Sequence, residues 1–403
     1  VILRIAFRNL LRNRRRTALT ALSMFGGFVL ASVFIGWADG TYGHIIQEFT
    51  RNTFGHIQIH AGDYLDHPSI YKTIDDYPRL EGILAAQPDV EADAPRLYAG
   101  TLVSRGDKTA GGRIIGIDPA REERTTSFAR KVAVGSGLPP RAAHRLLLGR
   151  GLARQLGASP GDRIVLLSQA ADGSIANDEY TLAGLVDSGD EVADRFSVYL
   201  HLRDAQELLV LPGRIHEVVV TVRSLDRVRP VARRLQELVG RGLDVSPWQV
   251  FASSFYRAMR ADQGGMYISL LVIIVVVAVG ALNTVLMSVL ERRREYGLLK
   301  ALGTRPRQIV WVVLAETNLM GLAAVALGAA AGFLVNLYLA RHGIHLSEPI
   351  TYGGMKITRM ATVMNLRMYV IPAVTILVSS TLVGFFPALR ASRTDPARSL
   401  RMH

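Results

Sequence analysis

Cysteine is absent from all 403 residues, which excludes disulfides and thiolate-held metals or clusters. Lysine is scarce: Lys72, Lys108, Lys131, Lys300 and Lys356 are the full set, and none follows a glycine. A phosphate-cradling Gly-Lys-Ser/Thr loop is therefore excluded, and with it ATP hydrolysis by this chain. No G-x-S-x-G pattern or similar elbow marks a nucleophile, so no catalytic residue is assigned. His56 and His60, in HIQIH, fall four apart on a predicted strand, about 13 Å at roughly 3.3 Å per residue. That is too far to share an ion whose ligands lie at about 2 Å. Strand alternation instead buries Ile57 and Ile59, with the histidines opposite. The expectation is a non-enzyme with no metal and no cofactor of its own.

Charge is also missing from long blocks. Residues 17–37, 266–290 and 368–389 carry none, and 309–340 carries only Glu316. Each reaches the roughly 20 apolar residues that a membrane span requires. The first block, 21 residues long, exceeds the roughly 7–15 of a signal-peptide core, and no clear small-x-small cleavage site follows, so it reads as a retained span. An ionised carboxylate inside a span is costly. Glu316, near the start of its run, is expected to pair with a loop arginine or to meet the inner interface.

What is present fixes orientation. Arginines and one lysine cluster at 4–16, 292–307 and 390–401, sixteen of the 47 basic residues. All three clusters fall on one side if four segments span, and basic short loops are cytoplasmic. The net charge of +13 thus answers anionic lipid rather than nucleic acid, which is not expected as a partner. The layout is a cytoplasmic amphipathic helix at 1–16, spans at 17–37, 266–290, 309–340 and 368–389, and a periplasmic domain at 38–264. A cytoplasmic helix and loop at 291–308, a periplasmic loop at 341–367 and a cytoplasmic tail at 390–403 complete it.

The fold class is an α+β membrane protein. In the outer domain HIQIHA, PRLEGILAAQ and VEADAPRLYAG read strand, helix, strand, and HEVVVTV, VARRLQELVGRG and LDVSPW repeat that order. Two β-α-β units thus enclose a β-rich insert at about 100–200, with short strands such as TLVSRG, GRIIGID, DRIVLLSQ, YTLAGLVD and FSVYLHL. Helix is expected to continue past the first span through TYGHIIQEF. Before the second span Phe251, Phe255 and Met259 recur every four residues, so both spans extend outward as a stalk. In the third span Gly321, Gly328 and Gly332 form a small-residue stripe for close helix packing, within the chain or in a dimer.

The stretch ERRREYGLLKALG, residues 291–303, then returns the chain to the membrane. Leu298, Leu299 and Leu302 are expected on one helical face, with Gly303 as the terminating glycine. Such a helix could dock a partner or rest on lipid.

NTVLMSVLERRREYGLLKALGTRPRQI resembles the signature of FtsX-like ABC transporter permeases, the group that includes the lipoprotein-releasing permeases and MacB. RNLLRNRRRT at 8–17, GHIQIHAGDYLDHP at 55–68, GIDPARE at 116–122, LGRGLARQLGASPGDRIVLLSQAADGS at 148–174, GALNT at 280–284 and PALRASRTDPARSLR at 387–401 also read as family sequence. The resemblance implies that Glu291, Glu295, Gly297, Leu298, Leu299, Lys300, Leu302 and Gly303 form a coupling helix seated on a separate ABC ATPase, present in two copies, which binds the ATP and Mg. It implies porter-like and sabre-like parts in the outer domain and a second permease, identical or paralogous. A periplasmic acceptor or adaptor and membrane lipid complete the expected partners. The expected function is the permease subunit of a type VII system working by mechanotransmission, foremost in lipoprotein release from the inner membrane, with Phe251, Phe255 and Met259 as stalk and cargo residues. Efflux of small molecules or peptides, and a signalling permease acting on a periplasmic partner, are the alternatives. Unlike MacB, the sequence shows no fused ATPase, and its outer domain is larger than that of FtsX.

Overall fold

The computed structural model describes residues 2–12, 14–352 and 355–393; Arg398 and Arg401 of the expected basic tail lie outside them. The chain divides into two compact units, one built mainly from 1–43, 259–347 and 358–403, the other mainly from 44–258.

The first unit is helical because its sequence offers long apolar runs with few breakers. Helices Thr17–Phe49, Ser253–Glu291, Pro306–His342 and Arg367–Ser392 are long and apolar enough to cross a membrane. The third opens with Pro306 in its first turn, where a missing N–H costs nothing. It ends at Gly343, whose φ of 68° suits a residue without Cβ. Ahead of the first span, helix Ile2–Arg12 buries Ala6 while Leu3 and Phe7 stay exposed, as a helix lying on the inner leaflet requires. A Cβ on Gly328 would sit 2.9 Å from Phe28, on Gly332 3.1 Å from Ser32 Oγ, and on Gly321 3.2 Å from Ser380 Oγ. The glycine stripe therefore faces other helices of the same chain. The expected bare loop after the third span contains a hairpin, Ile344–Tyr352 with Met355–Met360.

The second unit contains ten strands: β1 (Ile57–Ala61), β2 (Val90–Arg105), β3 (Lys108–Ile117), β4 (Val132–Gly135), β5 (Arg145–Gly149), β6 (Arg163–Gln169), β7 (Ile175–Val186), β8 (Ser197–His201), β9 (Glu217–Val222) and β10 (Leu243–Pro247). Strands β10-β1-β9-β2 form an antiparallel sheet. Helices Tyr77–Ala85 and Val228–Val239 join β1 to β2 and β9 to β10, which gives the two nested β-α-β units. Asp76 caps the first of these helices by accepting from the Arg79 amide, with a proline in its first turn. Strand β2 then continues into a second structure. Its later residues pair with β3, and pairing runs on through β8, β5, β7 and β6 back to Leu102–Ser104 of β2, closing a six-stranded barrel. Closure leaves no free edge among those strands. Leu97, Val103, Ile114, Leu148, Leu166 and Val198 help to fill its interior.

Three expectations need correction here. TLVSRG is not a separate strand, because β2 runs unbroken through residue 100, where the insert was expected to begin. Strands β4 and β5 were not foreseen; RLLLG is a short run, apolar after Arg145, without the alternation that marks a half-exposed strand. The Phe251–Phe255–Met259 stripe is interrupted, since Ala252 leaves helical geometry between helices Trp248–Phe251 and Ser253–Glu291.

Candidate functional site

After the second span the chain turns at Arg292 and forms a short helix, Arg293–Ala301. Gly303, with a φ of 91°, stops it; the Gly303 amide donates to the Lys300 carbonyl and the Thr304 amide to that of Leu299. Tyr296 and Gly297 face inward and are buried, with Tyr296 packed among Val285, Val289, Ile309 and Ala388. Leu299 packs against the same cluster. Contrary to the expectation of one shared face, it does not join Leu298 and Leu302 on the outward side; at 100° per residue, position 299 rotates away from the 298–302 line. Leu298 is 52% and Leu302 76% exposed, with Arg294 and Ala301 beside them on the same open face.

The helix is tied to the unit by charge. Arg292, 7% exposed, donates through its Nη1 to both oxygens of Glu316, at 3.0 and 2.8 Å, and through its Nε to Glu295 at 2.9 Å. Asn9 of the N-terminal helix donates to Glu316 at 2.6 Å, and Arg12 pairs with Glu295. Lys300 Nζ donates to the Ser392 carbonyl at 3.1 Å. Glu291 is exposed at the end of the second span. Three elements thus meet the short helix through side chains: the N-terminal helix, the third span and the end of the fourth. Of these links only Arg292–Glu316 is buried on both sides, and a paired buried charge resists separation. Glu316 was expected to pair with a loop arginine; Arg292, Tyr296 and Asn9 were not singled out.

A second network lies in the outer unit where β2 passes from sheet to barrel. Arg96 makes two bonds to Glu122, at 2.5 and 3.2 Å, one to Glu217 at 3.4 Å and one to the Thr53 carbonyl at 2.9 Å. Glu217 also meets His60 Nε2 at 3.1 Å and the Tyr98 hydroxyl at 2.9 Å. Burial opposes the charge on Glu217, yet His60, Arg96 and Tyr98 together hold its carboxyl below the usual range. Burial, with Arg51 nearby, depresses His56 to about 4, and its Nδ1 accepts from the Val222 amide at 2.9 Å. Nothing in the spacing of Arg96, Glu122 and Glu217 announces this cluster.

Thr53 belongs to a turn, Thr50–Phe54, that ends at Gly55 after the first long helix. Phe49 stacks on Phe255 with centroids 4.0 Å apart, and Phe54 lies 5.0 Å from Phe49 and 6.5 Å from Phe251. Phe251 and Phe255 are thus held in one aromatic cluster despite the break at Ala252. Met259 is buried in the helical unit. His144, Asp204 and Glu207 bring ligand atoms within 4.8 Å of one another.

Against known families, residues 17–238 match the MacB-like periplasmic core domain and residues 267–396 the FtsX-like permease C-terminal domain. The lipoprotein-releasing system transmembrane protein LolC of Xylella fastidiosa is 27% identical, with 81% of each chain covered. The macrolide export ATP-binding/permease protein MacB 2 of Aeromonas hydrophila is 24% identical over 98% of this chain and 60% of its own length. The crystal structure of the periplasmic region of MacB from Actinobacillus actinomycetemcomitans covers 50% of this chain and 92% of that one, at 12% identity and a TM-score of 0.37.

Proposed function

The chain belongs to the FtsX-like ABC transporter permeases with a MacB-like periplasmic core, a multi-pass inner-membrane protein, and from that premise we propose that it releases lipoproteins from the inner membrane. An ABC ATPase, in two copies, docks on Leu298 and Leu302. A second permease, identical or paralogous, completes the assembly, and a periplasmic acceptor receives the cargo. The observation that carries the docking is the pairing of an open leucine face with a helix whose other side is bolted by Arg292, Glu316 and Lys300. ATP-driven closure of the ATPases presses that face, and the long helices carry the displacement to the outer unit.

The similarity to LolC over four-fifths of both chains supports the release reading. The energetics of release suit an ATP-driven device. At about 0.8 kcal/mol per buried methylene, drawing three chains of about fifteen methylenes from a bilayer costs roughly 35 kcal/mol unless protein shields them. Photo-crosslinkers at Phe251 and Phe255 test this reading. Capture of acylated protein in nucleotide-free complexes, and acylated protein retained in the inner membrane of depleted cells, are the expected results. Raised drug sensitivity without retained lipoprotein would instead favour efflux, which the MacB resemblance keeps as the second reading; an altered cell wall with neither would indicate signalling.

A further inference from the structure

We propose that a trough on the outer face of β2, β3 and β8 binds an amphiphilic organic anion. The cavity measures about 620 Å³, within the roughly 300–1,000 Å³ of small-ligand sites. Outward positions on a barrel in water are ordinarily polar. Here they include Tyr98, Ile115 and Tyr199, faced by Phe128 and by Phe196, which is 51% exposed. Gly100 and Gly111 lie on neighbouring strands, and a Cβ at either would meet no atom within 4 Å. Two bare stretches of backbone thus keep the floor open between aromatic walls, room for an alkyl chain or a flat ring.

The anionic end is set by Arg113. Its guanidinium lies 4.2 Å over the Tyr98 ring, and among the described residues no carboxylate pairs with it. Stacking on a ring face leaves the N–H edges of a guanidinium free, in the fork geometry that grips a carboxylate or sulfonate. The other charges around the trough are differently committed. Arg96 is paired with Glu122, and Asp190 Oδ1 accepts the amides of Val192 and Ala193. Lys131 Nζ lies 5.8 Å from the Phe128 ring centroid beside Arg96 and Glu122, and burial lowers its pKa to about 8. An apolar trough with a stacked, unneutralised arginine selects a molecule with one apolar body and one negative head.

This site is independent of the transport reading, since it rests on the outer unit alone. The test uses the full chain in phosphatidylcholine nanodiscs and three photoreactive probes: laurate with a terminal diazirine, an azido-naphthoate, and the alcohol corresponding to the laurate. Saturable labelling by an acid is expected on peptides holding Tyr98–Arg113, Phe128–Lys131 or Phe196. Labelling by laurate supports a lipid-derived ligand and labelling by naphthoate a soluble aromatic acid; either upholds the site. Arg113→Gln should weaken apparent affinity about tenfold or more through loss of charge-assisted hydrogen bonds. Gly111→Leu should abolish labelling while leaving the thermal melt unchanged, because the new side chain enters open space on a strand. Leu298→Asp/Leu302→Asp should label as wild type, which separates this site from coupling. Labelling confined to the membrane helices, or equal for acid and alcohol and unaffected by Arg113→Gln, would overturn the proposal.

Discussion

Glu316 lies inside a membrane span with Arg292 and Asn9 closed around it. Breaking a buried pair from one side strands the other charge, at a cost of about 3–5 kcal/mol. Glu316→Gln should therefore lower the thermal midpoint of the detergent-solubilised protein markedly, whereas the double change Arg292→Met/Glu316→Leu should recover most of the loss. A double variant no better than the single would show that the pair is not the cause. His56 supports a pH prediction in the outer unit. Its folded pKa of about 4 lies below the usual 6.5, so the fold requires the neutral ring. Stability is complete above pH 6.5 and falls as the pH drops from 6.5 towards 4, where the unfolded chain takes up a proton that the folded one refuses. The loss from this group is on the order of 3 kcal/mol. His56→Asn, which retains an acceptor for the Val222 amide and does not titrate, should flatten that slope. Fluorescence of Trp248, whose amide bonds the His56 carbonyl, is one readout. At this scale legibility was uneven. A lone carboxylate in an apolar run announces its need for a partner, but Arg96 and Glu217 stand 121 residues apart and meet only through strand pairing.

The short helix Arg293–Ala301 shows how far an element can be read from pattern. Its glycine stop and its amphipathic character follow from residue order; its start was expected at Glu291, which instead ends the second-span helix, and the side on which Leu299 falls depends on Tyr296 and the cluster that receives it. Leu298→Asp/Leu302→Asp should release the ATPase, since a carboxylate in a desolvated interface costs several kcal/mol and a loss of about 3 kcal/mol weakens binding more than a hundredfold. Arg293→Ala, turned away from that face, is the comparison and should leave co-purification nearly intact while disturbing lipid contact or topology. Wild-type ATPase stoichiometry in the leucine variant would make the segment a plain loop. Among the strands, the outer β-α-β units were legible because short strand-like runs bracket an amphipathic helix twice, in the same order. The barrel was not, because closure depends on β2 being long enough to serve two sheets, and length past a predicted boundary leaves no local mark.

At the scale of the whole molecule, four spans and three basic clusters predict that position 107 is periplasmic and position 305 cytoplasmic. The absence of cysteine makes this directly measurable. Asp107→Cys should react with a membrane-impermeant maleimide in intact spheroplasts, and Arg305→Cys should react only after lysis. Labelling of Arg305→Cys in intact spheroplasts would reverse the assignment. The central claim is that ATP-driven motion enters at Leu298 and Leu302 and reaches the outer unit at Thr50–Phe54 and Phe251–Phe255. Hydrogen exchange on the complex with its ATPase in nanodiscs, nucleotide-free and vanadate-trapped, tests it most directly. Nucleotide should change exchange in those two segments of the wild type and leave them unchanged in Leu298→Asp/Leu302→Asp. An equal response in both proteins, or no response in the wild type, would contradict it.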